Sequence, residues 1–130
     1  MPALPTVIPL KIPTLGSQVS IDVIIGQAQY GEYRVRLFDS AGKNPQEIGE
    51  GNNVDTLPDS FDVPNAPPGL KGRLISWRIT IASPSAPDGQ FYYARIIVRE
   101  GNRSLSDVAI EYAGPLDGAK ILIGFGDFSV

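Results

Sequence analysis

Residues 72–82 read Gly-Arg-Leu-Ile-Ser-Trp-Arg-Ile-Thr-Ile-Ala, a run in which apolar and polar side chains alternate. Successive side chains of a β-strand point to opposite faces of its sheet, so this alternation predicts a strand with one buried face. The side chains predicted to point inward are Ile75, Trp77, Ile79 and Ile81. Such a strand needs a second layer to cover its apolar face, which makes a packed β fold the first expectation.

Residues 91–100, Phe-Tyr-Tyr-Ala-Arg-Ile-Ile-Val-Arg-Glu, repeat the alternation further along the chain. The inward side chains predicted here are Tyr92, Ala94, Ile96 and Val98. Between the two runs, residues 84–89 read Pro-Ser-Ala-Pro-Asp-Gly, and Asp-Gly is favoured in tight hairpin turns. The sequence therefore predicts that the two runs pair as an antiparallel hairpin.

Shorter runs of the same kind cover much of the remaining chain. They lie at residues 6–12, 18–25, 32–39, 106–113 and 119–130, with two briefer runs near 47–49 and 60–63. No segment shows a convincing 3.6-residue period, so we expect no substantial helix. Turn signals recur about every 10 to 15 residues, which is typical of a sandwich. We predict an all-β fold: one antiparallel β-sandwich domain over residues 1–130, jelly-roll or immunoglobulin-like, with about eight or nine strands.

The start of the chain predicts an edge strand or an extended N-terminal arm over residues 1–13. Pro9 interrupts the run 6–12, and proline cannot donate a hydrogen bond to a strand ladder. An arm of this kind suits contact with a neighbouring copy.

The last run, residues 119–130, is apolar on both faces. Ile121, Ile123 and Phe125 are predicted to point inward, while apolar side chains also occupy the other register, at Leu122 and Phe128. A strand that is apolar on both faces must be covered on both, either by its own fold or by another subunit. We therefore expect a homo-oligomer.

Composition excludes several kinds of chemistry. The chain has 130 residues with neither cysteine nor histidine, so a disulfide, a thiolate nucleophile, an imidazole base and a Ser-His-Asp triad are all impossible. Neither a P-loop nor a dinucleotide-binding glycine motif is present. We expect a protein that is not an enzyme and that needs no cofactor.

Charge and hydropathy limit the partners. The net charge of −3 does not favour nucleic acid. No stretch approaches the roughly 20 apolar residues of a membrane-spanning helix, and the sequence as given does not open with a signal peptide. We expect a soluble protein that binds neither nucleic acid nor membrane, and the compartment stays open.

An acidic stretch occupies the middle of the chain, because residues 44–70 contain no Lys or Arg. Calcium binds several oxygen ligands from a flexible loop, and Asp55, Asp59 and Asp62 are the candidate ligands here. The alternative is a solvated acidic loop with no bound ion.

Arginines and aromatic side chains share the outward faces of several predicted strands. The interface candidates are Arg34, Arg36, Arg78, Phe91, Tyr93, Arg95 and Arg99. Tyrosine and arginine are enriched in protein interfaces, so we predict a protein partner, the chain itself above all. The alternative is that these arginines pair across strands with Asp22, Asp107 and Glu111.

A second hypothesis is a carbohydrate-binding, lectin-like module that uses calcium. Its candidate ligand-binding residues are Tyr30, Tyr33 and Trp77, because an exposed aromatic ring can stack on a sugar. For Trp77 the inward register favours a core position instead.

Overall fold

The computed structural model describes residues 6–14, 17–26, 30–39, 41–52, 59–64, 69–82, 91–115 and 119–129. These residues form ten strands and no helix: β1 (Thr6–Leu10), β2 (Val19–Gly26), β3 (Tyr30–Phe38), β4 (Gln46–Asn52), β5 (Asp59–Asp62), β6 (Leu74–Ala82), β7 (Phe91–Glu100), β8 (Arg103–Ser104), β9 (Ile110–Pro115) and β10 (Lys120–Phe128). The all-β prediction is confirmed. The strand beyond the predicted eight or nine is β8, whose two residues are too few to show a periodic pattern.

The first sheet has the order β1-β10-β6-β3-β4, so β1 and β4 are its edge strands. All of its pairs are antiparallel except β1–β10, which is parallel. The antiparallel prediction misses this pair because β1 and β10 are far apart in sequence, and no tight turn fixes their relative direction. Pro9 lies in β1, where the free side of an edge strand tolerates its missing N–H.

The second sheet has the order β5-β2-β7, with β8 and β9 both pairing with β7. Its pairs are antiparallel throughout the described residues. Edge strand β5 lies near β4, the edge strand of the first sheet: Phe61 packs against Gly49 and makes an edge-on ring contact with Tyr33. The two sheets therefore meet along this side of the molecule.

One hydrophobic cluster contains buried side chains from both sheets. The first sheet contributes the predicted inward residues of β6: Ile75, Trp77, Ile79 and Ile81, all fully buried. The second sheet contributes the predicted inward residues of β7: Tyr92, Ala94, Ile96 and Val98. The Trp77 indole N–H donates a 2.8 Å hydrogen bond to the Tyr112 hydroxyl on β9, so a polar contact also joins the sheets.

The predicted hairpin between residues 72–82 and 91–100 is wrong. β6 pairs with β3 and β10, whereas β7 pairs with β2, β8 and β9 in the other sheet. The turn residues 84–89 lie outside the described residues. Alternation identifies the buried face of a strand, but it does not say which strand lies beside it.

The predicted register of β10 is also wrong. Leu122, Gly124, Gly126 and Phe128 face the core, while Ile121 and Ile123 are 50% and 40% exposed. A Cβ at position 124 would lie 2.5 Å from the Trp77 Nε1 and from the Tyr112 hydroxyl. At Gly126 a Cβ would overlap Leu10. Glycine is therefore required on the inner face, and the larger apolar side chains point outward.

Candidate interaction face

The outer face of the first sheet changes from apolar to cationic to anionic across its strands. The strand registers place Ile123, Arg78, Arg34 and Glu50 in one row across β10, β6, β3 and β4. The neighbouring row contains Phe125, Ser76, Arg36 and Glu47, with Val7 of β1 beyond Phe125.

Arg34 and Arg78 lie directly opposite each other on adjacent strands. Like charges at such a position are destabilising unless a counter-charge lies nearby. Glu47 supplies one carboxylate, 2.9 Å from Arg34 Nε and 3.4 Å from Arg36 Nε. Arg78 is exposed and forms no ion pair with any described residue. Arg34 and Arg36 thus share one carboxylate, and Arg78 pairs with none among the described residues.

A shallow groove of about 200 Å³ lies among these arginines. Its lining includes Phe38, Phe125 and Ile123 beside Arg34, Arg36 and Arg78. The Phe38 and Phe125 rings lie 6.4 Å apart in a tilted arrangement and form its apolar wall. The groove can therefore receive an anionic group carried on an apolar body.

Exposed apolar side chains are concentrated beside this groove. Five large hydrophobic side chains are exposed among the described residues, and three of them, Val7, Ile121 and Ile123, lie on the neighbouring strands β1 and β10. The other two, Phe91 and Val108, are elsewhere. Apolar side chains grouped in this way are typical of an interaction surface.

On the outer face of the second sheet, Arg99 and Arg95 have carboxylate partners within the same chain. Arg99 Nε lies 2.8 Å from an Asp22 oxygen, and Arg99 Nη2 lies 3.1 Å from the Ser60 hydroxyl. Burial alone would raise the pKa of Asp22. The hydrogen bonds from Arg99 and Ser60, together with the Arg99 charge, outweigh burial and hold that pKa below its usual value. The same Asp22 hydrogen bond raises the pKa of Arg99.

The other predicted carboxylates also have cationic partners. Arg95 lies 3.8 Å from Glu111, as the pairing alternative proposed, whereas Asp107 pairs with Lys11 at 2.9 Å. The cross-strand alternative thus describes the arginines of the second sheet.

The seven interface candidates therefore lie on two different sheets. The first sheet holds Arg34, Arg36 and Arg78, and the second holds Phe91, Tyr93, Arg95 and Arg99. Phe91 is exposed, while Tyr93 packs over Gly26, where a Cβ would lie 3.1 Å from its ring. These residues do not form one continuous patch.

Two of the candidate sugar-stacking rings are buried. Tyr33 is 5% exposed and Trp77 is fully buried, so neither presents a ring face to a ligand. This corrects the expectation that Tyr33 is exposed; Trp77 occupies the core position that its register favours. Tyr30 begins β3, and its side chain lies outside the described part of the chain.

The two calcium candidates that the structure describes, Asp59 and Asp62, do not converge. Asp59 and Asp62 are three positions apart in β5 and therefore point to opposite faces of that strand. Asp62 accepts a hydrogen bond from the Ser20 hydroxyl, and Asp55 lies outside the described residues. Within the described part of the chain, no group of three or more acidic side chains is arranged to hold a metal ion.

Sequence reasoning predicted apolar side chains on both faces of β10 but assigned the wrong ones to the outer face, and it missed the burial of Glu100. The Glu100 carboxylate is inaccessible to solvent, accepts a hydrogen bond from the Thr14 N–H at 3.2 Å and pairs with Arg103. Glu100 continues the inward alternation of β7, which was the available signal. Gly124 and Gly126 offered a signal for the correct assignment. Both glycines lie on the same face of β10, where the core leaves no space for a side chain, so the alternate residues point outward.

Comparison of the chain with known protein families, with curated proteins and with solved structures gives no match in any of the three. Among the described residues there is no helix with the length and hydrophobicity needed to cross a bilayer.

Proposed function

We propose that the two sheets pack face to face as a β-sandwich, and that the protein is a non-enzymatic interaction or structural protein that self-associates. The single hydrophobic cluster shared by both sheets supports the sandwich. We assign the self-association to the outer face of the first sheet.

The observation that carries this proposal is the grouping of exposed Val7, Ile121 and Ile123 next to the incompletely neutralised arginines. Burying apolar side chains at the centre of a contact provides the main driving force for association. Arginine at the border of such a patch adds directional hydrogen bonds, which give the contact specificity.

The test compares two matched apolar substitutions on different faces. We expect the wild-type mass in sedimentation equilibrium to rise with concentration. Ile121→Ser combined with Ile123→Ser should weaken association at least about tenfold, because the apolar contact is lost. The control, Phe91→Ser combined with Val108→Ser, removes side chains elsewhere that are at least as exposed and should leave association unchanged. A wild-type monomer at high micromolar concentration contradicts the proposal, as does an equal loss in the control.

The lectin-like and calcium-dependent alternative gains no support from the described residues, since Tyr33 and Trp77 are buried. It stays a prediction. Binding to a glycan array, or a rise in melting temperature on adding calcium, would favour it.

A further inference from the structure

The outer face of the first sheet carries apolar, cationic and anionic side chains in neighbouring rows across its strands. The two rows described above begin on β10 with Ile123 and with Phe125, and we call them row 2 and row 3. Row 1 lies on the other side of row 2 and contains Ile121, Thr80, Glu32 and Asn52, in the order β10, β6, β3, β4. Because both signs of charge share this face, one copy of the face can complement another.

The pair of arginines in row 2 sets the requirement that a partner must meet. Arg34 and Arg78 lie directly opposite each other, and like charges at such positions are destabilising. Glu47 binds the Nε of Arg34, and Glu50 lies on the side of Arg34 away from Arg78. A partner that covered Arg78 without a carboxylate would bury an unpaired charge, which strongly opposes binding. The partner must therefore bring a carboxylate over this pair.

We propose that two copies pack outer face on outer face about a two-fold axis that runs across the strands, between rows 1 and 2. This inference rests on the self-association proposed above and specifies its geometry. Such an axis keeps the order of the strands and reverses the order of the rows, so row 1 of each copy covers row 2 of the other. Sheets packed face to face keep their strand directions within about 30° of each other, so these rows stay together over the central strands.

The axis brings the required carboxylate to the arginine pair. Glu32 of the second copy lies over Arg34, one strand spacing of about 4.8 Å from Arg78. Its carboxylate therefore lies against both guanidinium groups. Thr80 of the second copy lies over Arg78, where its hydroxyl accepts a hydrogen bond. The two-fold symmetry makes each of these contacts twice.

The two ends of the rows also match. On β10, Ile121 meets Ile123 of the second copy, so two side chains that are exposed in one copy are covered together. On β4, Asn52 meets Glu50 of the second copy, and an amide N–H donates to a carboxylate. Apolar groups therefore meet apolar groups at one end of the contact, and polar groups meet complementary polar groups at the other.

Other positions of the axis match the charges less well. An axis between rows 2 and 3 would set Arg34 over Arg36 and Glu50 over Glu47. An axis parallel to the strands and through β6 would set the arginines of β3 over the apolar side chains of β10. The proposed axis avoids both mismatches. Because the contact uses the same patch on both copies, it closes at two copies.

Charge reversals within row 1 and row 2 test this geometry. Glu32→Arg and Arg34→Glu should each weaken self-association at least about tenfold, because each sets like charges against each other twice. An equimolar mixture of the two variants should form a complex of one copy of each, since opposite charges then face each other at every position. The double variant carries both changes in one chain and should associate within about threefold of the wild type. Sedimentation equilibrium at low salt measures all four.

Matched controls reverse the ion pair on the outer face of the second sheet. Arg95→Glu and Glu111→Arg, alone or together, should associate as the wild type does. Circular dichroism and melting temperature show whether each variant is folded. Glu32→Gln and Arg34→Gln replace any reversal that does not fold, and each should weaken association a few-fold.

Failure of the geometry and failure of the proposed function give different results. If the wild type associates but grows beyond two copies, or if the double variant stays as weak as the single variants, the two-fold axis is wrong and the proposed function survives. If the wild type is monomeric at low salt and high micromolar concentration, self-association itself is wrong, and the geometry with it.

Discussion

Arg99 on the second sheet and Arg78 on the first are both arginines on the outer face of a strand, but their surroundings differ. Arg99 reaches Asp22, Ser60 and a main-chain carbonyl within its own chain. Arg78 faces Arg34 across the sheet and forms no ion pair with any described residue. One arginine has its hydrogen-bonding groups satisfied by folding, whereas the other retains charge and donors for a partner.

The difference shows that an outward arginine does not by itself identify a binding surface. On the second sheet the strand next to Arg99 carries Asp22, whose carboxylate neutralises the arginine. On the first sheet the neighbouring strand brings a second arginine, and the adjacent strand β10 brings exposed apolar side chains. Whether an outward arginine is available to a partner therefore depends on which strands lie beside it.

The largest loss of stability should come from a change in the hydrophobic cluster that the two sheets share. Trp77→Ala removes the largest fully buried side chain, which also bonds to Tyr112 of the other sheet. We expect a loss of about 3–5 kcal/mol in the free energy of unfolding, measured with denaturant. Tyr112→Phe, which removes only the hydroxyl partner of that indole, should lose about 1 kcal/mol. A loss below about 1 kcal/mol for Trp77→Ala would contradict the shared core.

A smaller loss of stability should follow from weakening the ion pair between Asp22 and Arg99 on the outer face of the second sheet. Asp22→Asn weakens the carboxylate's hydrogen bonds with Arg99, which are partly shielded from solvent, and we expect a loss of about 1.5–3 kcal/mol at neutral pH. The stability contributed by a carboxyl with a lowered pKa is present above its unfolded pKa and is lost as pH falls through the folded value. The wild type should therefore lose stability below about pH 4, and Asp22→Asn should lose less over the same range. Equal pH profiles for the two proteins would show that Asp22 and Arg99 are not coupled.

The smallest effect on stability should come from a change on the outer face of the first sheet. Glu47→Gln removes the carboxylate shared by Arg34 and Arg36, but these groups are well exposed, so the loss should stay below about 1 kcal/mol. The free energy of unfolding, measured with denaturant, checks this expectation. A loss above about 1 kcal/mol would show that Glu47 offsets the repulsion between the neighbouring arginines more strongly than an exposed ion pair does.

Local sequence patterns predicted which residues of a strand are buried better than they predicted which strands pair with each other. The inward residues of β6 and β7 follow directly from alternation, because a half-buried strand must place its apolar side chains on one face. The pairing of β6 with β10 and β3 depends on contacts between distant parts of the chain. The turn signal at 84–89 was therefore consistent with a hairpin that does not form.

The candidate face was only partly predictable for the same reason. Arg34, Arg36 and Arg78 could be named as outward residues, but their grouping required β3 and β6 to be neighbours. In β10 the hydrophobic residues suggested the wrong face, since Trp77 and Tyr112 occupy the inner space above Gly124. The position of the apolar strip beside the arginines therefore depended on β10 and β6 being neighbours.

The parallel pair of β1 and β10 also determines how the fold bears tension. Thr6 lies beside Gly124, and Leu10 lies beside Phe128. Pulling on the start of β1 and the end of β10 drives the two strands past each other in opposite directions. Every hydrogen bond of the ladder is then loaded together in shear, whereas an antiparallel pair held at the same end would unzip one bond at a time.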